Sequence, residues 1–264
     1  MTGFTKAHAC GNDFLIVEGI PNADLAIRLC ARNTGIGADG VEFAEWTGER
    51  TARIRLVNAD GSAAEISGNG TRCVAAWMAH RKGLKPGDTV LIETDAGPRQ
   101  CRVVKAGTNR FEFSQGMGVP TIADKTVCLE DGTSIAGFVV GMGNPQFVAF
   151  TEEPEFAVNG RSWQELGREI CFHPDFPEQT NVEFVRVIDQ RLIEIRIHER
   201  GVGPTASSGT GTCAAATAAI ARRELSSHLR VRAPGGEQTV EWNGEGLEIV
   251  LTGPAELIAS GEAW

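Results

Sequence analysis

No run of lysine or arginine in these 264 residues is long enough to track a phosphate backbone, and the net charge is −9, so no nucleic-acid partner is expected. The N-terminus, Met1-Thr2-Gly3-Phe4-Thr5-Lys6, lacks an apolar core and a cleavage-site pattern. No apolar stretch approaches membrane-spanning length, so no membrane partner is expected and a cytoplasmic location is the default. No C-x-x-C pair occurs among the seven cysteines (Cys10, Cys30, Cys73, Cys101, Cys128, Cys171 and Cys213). Their odd number and scatter point to reduced, mostly buried thiols. The five histidines (His8, His80, His173, His198 and His228) lack metal-ligand spacing, and no metal site is expected. What remains is ordinary for a soluble globular protein: 42% hydrophobic and 22% charged residues, with length for one large domain or two small ones.

Alternation with period two dominates. Arg53–Val57, Thr89–Glu93 and Leu192–Ile197 read as strands with one buried face. Helices are predicted over Asp24–Asn33, closed by Gly35, and over Ser162–Ile170. Two further helices share a signature. Ser67-Gly68-Asn69-Gly70-Thr71 opens an Ala-rich run through Ala79, and Ser208-Gly209-Thr210-Gly211-Thr212 opens another through Ile220. Gly11-Asn12 and Gly143-Asn144 precede these two segments in the same order. The pattern predicts an internal duplication. The expected halves are residues 1–117, with 253–264 returning to the first, and 118–252.

Helix N-termini present free N–H groups and the positive end of the helix dipole, which suits a carboxylate. A residue just before each helix would flank such a ligand from opposite sides. That arrangement fits taking a proton from one face of a carbon and returning one to the other. Such work needs an anionic base and a neutral acid with pKa values near the operating pH. Cysteine meets both needs, whereas serine is a useful base only with a partner, and none is visible in the sequence. Rival readings are weak. Gly35-Ile36-Gly37-Ala38-Asp39-Gly40 precedes a strand-like Val41–Ala44 rather than a helix, which is wrong for dinucleotide binding. Neither S-G-x-G-T loop carries a P-loop lysine, and no lysine sits in a pyridoxal phosphate setting.

The motifs resemble those of the diaminopimelate epimerase family along nearly the whole chain. The matching stretches are His8–Phe14, Gly35–Gly40, Asn58–Ser62, Gly68–Cys73, Met142–Pro145, Thr180–Val182, Glu199–Gly203, Gly209–Gly211 and Pro234–Gly236. The resemblance implies a mixed α/β fold of two pseudo-symmetric halves. Each half would be a curved, mostly antiparallel sheet around a central helix, with the active site in the cleft between them. It implies an isomerase that interconverts LL- and meso-diaminopimelate by two-base proton transfer, without pyridoxal phosphate or any other cofactor, in lysine and peptidoglycan precursor synthesis. It carries over Asn12, Asn58, Asn144, Asn181, Glu199 and Arg200 as substrate contacts, with the amides of Gly68-Asn69 and Gly209-Thr210 as the carboxylate cradle. Arg200 would clamp the distal carboxylate. Family members are commonly homodimers.

The departures fall at the chemistry. The family's two catalytic cysteines are Ser67 and Ser208 here. Gln146 stands where a histidine is expected, Pro204 and Ala63 where glutamates are expected, and Ser207 where alanine is usual. Deliberate exchange of both thiols would explain the symmetry of the change; natural drift better explains the other departures. The chain is therefore expected to have little activity. Two alternatives stay open: a racemase or epimerase for another amino acid, and a non-catalytic amino-acid-binding protein. Cys10, beside Asn12, reads as a packing residue, with a relocated thiol as the alternative.

Overall fold

The computed structural model describes residues 1–64 and 67–264. By internal contacts the chain divides into one unit of Met1–Gln115 with Thr252–Trp264 and a second of Gly116–Leu251.

The first unit runs β1 (Thr2–Ala9), β2 (Asn12–Glu18), α1 (Ala23–Cys30), β3 (Gly40–Gly48), β4 (Thr51–Asn58), β5 (Ala63–Ala64), α2 (Gly68–Lys82), β6 (Thr89–Thr94), β7 (Gly97–Ala106) and β8 (Arg110–Gly116). Parallel pairing joins β2 to β3 and β4 to β6, and the neighbouring pairs are antiparallel. α2 is buried on every side from Asn69 to Ala79, and its exposed polar residues, His80, Arg81 and Lys82, gather at its C-terminal end. Its residues Cys73, Ala75, Ala76, Met78 and Ala79 pack against Phe14, Ile54, Ile92 and Phe113. α1 starts at an Asn22 cap and ends at Cys30, earlier than the predicted Asn33. Ala31 turns out of the helix, and the amides of Gly35, Ile36 and Gly37 fold back onto the carbonyls of Ala31 and Leu29. A Cβ on Gly35 would meet the Arg28 carbonyl at 2.2 Å, so glycine makes this return.

The second unit has a similar order, with one more strand before its first helix and one fewer after its central one: β9 (Thr121–Cys128), β10 (Ser134–Gly141), β11 (Pro145–Phe150), α3 (Trp163–Cys171), β12 (Asn181–Asp189), β13 (Leu192–Glu199), β14 (Gly203–Thr205), α4 (Gly209–Arg223), β15 (Leu229–Ala233) and β16 (Gly236–Glu241). Parallel pairing again occurs twice, β11 with β12 and β13 with β15. α4 presents Cys213, Ala214, Ala215, Ala218 and Ala219 to Val185, Ile195, Val231 and Leu251. α3 starts from a Ser162 cap that accepts the Glu165 amide, and it packs over the opposite face of its sheet with Phe147 and Phe184.

The last strand, β17 (Val250–Ala263), pairs with β1 and β8 and closes a ring of eight strands, β1 to β4, β6 to β8 and β17. Closure removes exposed strand edges. All seven cysteines are free, six of them buried and Cys128 exposed. Among the described residues, no helix is long and apolar enough to cross a membrane.

Candidate active site

Each unit puts one serine at the head of its central helix. Ser67 and Ser208 both have extended backbone and both cap their helix, their Oγ accepting the amides of Gly70 at 3.1 Å and Gly211 at 3.3 Å. Their carbonyls accept the amides of Thr71 and Thr212, which starts the helical ladder. The amides of Gly68-Asn69 and Gly209-Thr210 therefore lie in the first turn, where an α-helix supplies no internal acceptor. Ser208 is buried and Ser67 half-buried.

In the first unit, Asn69 sits 4% exposed and donates to Asn12 Oδ1 at 3.2 Å. Its own oxygen accepts from the fully buried Arg72. Asn12 donates to Asp39 Oδ2 at 2.6 Å, and Asp39 also takes the Asp13 amide and Arg32. Asp13 pairs with Lys6 at 3.0 Å and Arg32 at 2.9 Å. Burial works to raise the Asp13 pKa, but hydrogen bonds from Arg32 and Lys6 outweigh it and hold the carboxyl below its ordinary value. Asn58 ends β4, opposite Gly40 of β3, and donates to Ser62 Oγ at 3.0 Å. The charged set of Lys6, Asp13, Arg32 and Asp39 was not singled out by sequence reasoning. Cys10 lies buried in the β1–β2 turn at φ 51°.

In the second unit, neutral side chains do the holding. Gln146, fully buried, donates to Asn144 Oδ1 at 2.6 Å and to Thr210 Oγ1 at 3.3 Å. The residue that departs from the family pattern thus touches two predicted site residues. Asn181 accepts the Arg200 amide at 2.9 Å, while the Arg200 guanidinium is exposed and donates to the Glu178 carbonyl at 3.1 Å. Glu199 closes β13, and burial raises its pKa. Pro204 and Ala63 occupy matching places, opposite the end of β13 and of β4 respectively. Ser207 is buried, and its hydroxyl has no partner among the described residues.

Two residues missed in the sequence stand beneath the serines. Glu42 of β3 and Glu183 of β12 are both 0% exposed, and neither carboxyl has a hydrogen-bond partner among the described residues. Burial pushes the Glu42 pKa up to about 8. Burial, and then the neighbouring Glu199 charge, lifts Glu183 well above its ordinary value. Their signal was a third echo, Val41-Glu42-Phe43 against Val182-Glu183-Phe184, at the same distance before each serine. These carboxyls also account for the second glycine of each S-G-x-G-T segment. A Cβ on Gly70 would meet Glu42 Oε1 at 1.9 Å, and one on Gly211 would meet Glu183 Oε1 at 2.7 Å.

Comparison with known proteins agrees with this architecture. The family model described as diaminopimelate epimerase matches residues 4–122 and 138–258. The chain is 34% identical to the diaminopimelate epimerase of Rippkaea orientalis over 98% of this chain and 97% of that one. It is 35% identical to that of Acaryochloris marina, with the same coverage. Its fold is like that of a hydroxyproline epimerase from Agrobacterium vitis, with a TM-score of 0.71 at 18% identity, covering 98% of this chain and 91% of that one. The chain belongs to the diaminopimelate epimerase family, a family of amino-acid epimerases.

Proposed function

We propose that the chain interconverts LL- and meso-diaminopimelate by taking one proton off the α-carbon and returning another, at Ser67 and Ser208, with no pyridoxal phosphate or metal. The observation that carries this reading is the pair of serine-capped helix N-termini. Each offers free first-turn amides to a carboxylate beside a group placed for proton transfer. Asn12, Asn58, Asn144, Asn181 and Glu199 hold the substrate's polar groups, and Arg200 takes the distal carboxylate. A serine hydroxyl is a much weaker acid than a thiol, so turnover by this chain is slow. The reading places the chain in lysine and cell-wall precursor synthesis, in the cytoplasm, as a homodimer.

Gln146 favours a second reading, a different amino-acid substrate, because it changes the donors around Thr210 and Asn144. The Ser/Ser pair favours a third, an amino-acid-binding protein without turnover. Calorimetry with LL- and meso-diaminopimelate against histidine, glutamate and hydroxyproline separates substrates. Diaminopimelate should bind best, and clearly tighter binding of another amino acid would overturn the assignment. Arg200→Ala should weaken diaminopimelate by about 2 kcal/mol, the loss of one hydrogen-bonded charge pair. An unchanged affinity would place Arg200 outside the site.

A further inference from the structure

Glu42 and Glu183 have no place in the mechanism above, yet each is a buried, unpartnered carboxyl held against a helix that begins with one of the two serines. A buried polar group without a partner is costly to keep. Both halves carry such a group at the same place, 25 residues before the serine. The carboxyl and the serine border the same face of one glycine, with no hydrogen bond between them in the free chain. The Cβ position on Gly70 lies 1.9 Å from Glu42 Oε1 and 3.2 Å from Ser67 Cβ. That on Gly211 lies 2.7 Å from Glu183 Oε1 and 3.3 Å from Ser208 Cβ. Each serine oxygen accepts a single backbone amide, which leaves it a lone pair and its own proton.

We propose that Glu42 and Glu183 hold the exchangeable protons of this epimerase and act through Ser67 and Ser208, which serve as relays. Each unpartnered carboxyl reaches its serine by rotating about its own side-chain bonds when substrate is bound, and at one position the ionised carboxylate then takes the serine proton while Oγ takes the α-hydrogen. The electron pair of the broken C–H bond stays on the α-carbon and spreads into the substrate's α-carboxylate. At the other position a neutral carboxyl gives its proton to Oγ while the serine proton passes to the carbon. One carboxyl ends protonated and the other ionised, so atoms and charge balance and no co-reactant is needed. Burial lifts both carboxyls above the ordinary carboxylate range, Glu42 to about 8, which favours the protonated form each needs when it acts as a proton donor. The carboxyls supply the partner that a serine base requires. The diaminopimelate reading enters only in the identity of the substrate.

The test is deuterium entry at the α-carbon of LL- and meso-diaminopimelate, incubated in deuterated water with the intact chain and with Glu42→Gln and Glu183→Gln. The parent should exchange measurably above a protein-free blank. Each glutamine variant should lose at least about 100-fold, as expected for removal of general acid–base help. Its calorimetric affinity for diaminopimelate should change by less than about twofold, which separates proton transfer from a structural role. With Ser67→Cys and Ser208→Cys also present, the thiols transfer protons directly, and the same glutamine changes should cost less than about tenfold. Should a glutamine variant not fold by circular dichroism, Glu42→Asp and Glu183→Asp retain the acid and should keep intermediate exchange. Parent-like exchange in folded glutamine variants, equal losses in the serine and cysteine backgrounds, or no exchange by a parent that binds diaminopimelate would overturn the proposal. Absence of diaminopimelate binding would instead overturn the substrate reading on which it rests.

Discussion

The half built around α2 and the half built around α4 share a stack of three parts: a serine cap, a glycine in the first turn, and a buried glutamate under that glycine. They differ in what holds the polar residues beside the cap. In the first half Asn12 hangs on Asp39, within a set of four charges. In the second, Asn144 and Thr210 are held by the neutral Gln146. The helices differ as well: α2 buries Arg72 one turn after its cap, where α4 has Cys213. The parts adjacent to the proposed proton transfers repeat, and the supports around them differ.

Restoring thiols should produce the largest effect. Ser67→Cys with Ser208→Cys should raise epimerisation of diaminopimelate by roughly 10²–10⁴-fold, because a thiol exchanges protons near neutral pH without a relay. Either single change should do far less, since inversion needs a competent group at both positions. A folded, ligand-binding double variant that stays inert would show that Gln146, Pro204 and Ala63 have altered the chemistry.

Alanine at the two glycines is a finer probe of the shared stack. Gly70→Ala and Gly211→Ala should each destabilise the chain by roughly 1–3 kcal/mol through overpacking, measured by denaturant unfolding. Gly70→Ala should be the worse, because its Cβ would stand closer to a carboxyl oxygen. Equal or negligible losses would mean that the glutamates swing aside freely.

Stability should also depend on pH through the buried glutamate. The folded chain raises Glu42 from 4.5 to about 8, so between those values the folded state holds a proton that the unfolded state has lost. That contribution is fully present below about pH 4.5 and fades as the pH rises to about 8. Asp13 behaves oppositely: its lowered pKa contributes above the unfolded value and is lost on acidification. Glu42→Gln should therefore raise the melting temperature more at pH 8 than at pH 5. A uniform shift at both would contradict a neutral Glu42 in the fold.

The central helices were legible because their signals are local: a capping serine, two glycines and a run of alanines. The end of α1 was not. Whether the helix stops at Cys30 depends on the loop's return onto Leu29 and Ala31, and Gly35 marks that return rather than the cap. Glu42 escaped notice because β3 is covered on both sides. Val41 and Phe43 pack with α1, and Ala44 packs with α2, so alternation cannot say which face is wet. An acidic residue in such a strand reads as solvent-facing until the second sheet of contacts is known. The Lys6–Asp13–Arg32–Asp39 set brings together residues from two strands and a loop, and no spacing rule links them.

In the proposed reaction the two serine positions perform opposite halves of one proton exchange. The most direct test takes Ser67→Cys and Ser208→Cys as separate single variants and follows deuterium entry at the α-carbon of LL- and meso-diaminopimelate. A lone thiol can remove a hydrogen from one face only. One variant should therefore exchange the hydrogen of one stereoisomer, the other variant that of the opposite stereoisomer, with little inversion by either. Exchange of the same stereoisomer by both variants would contradict the account.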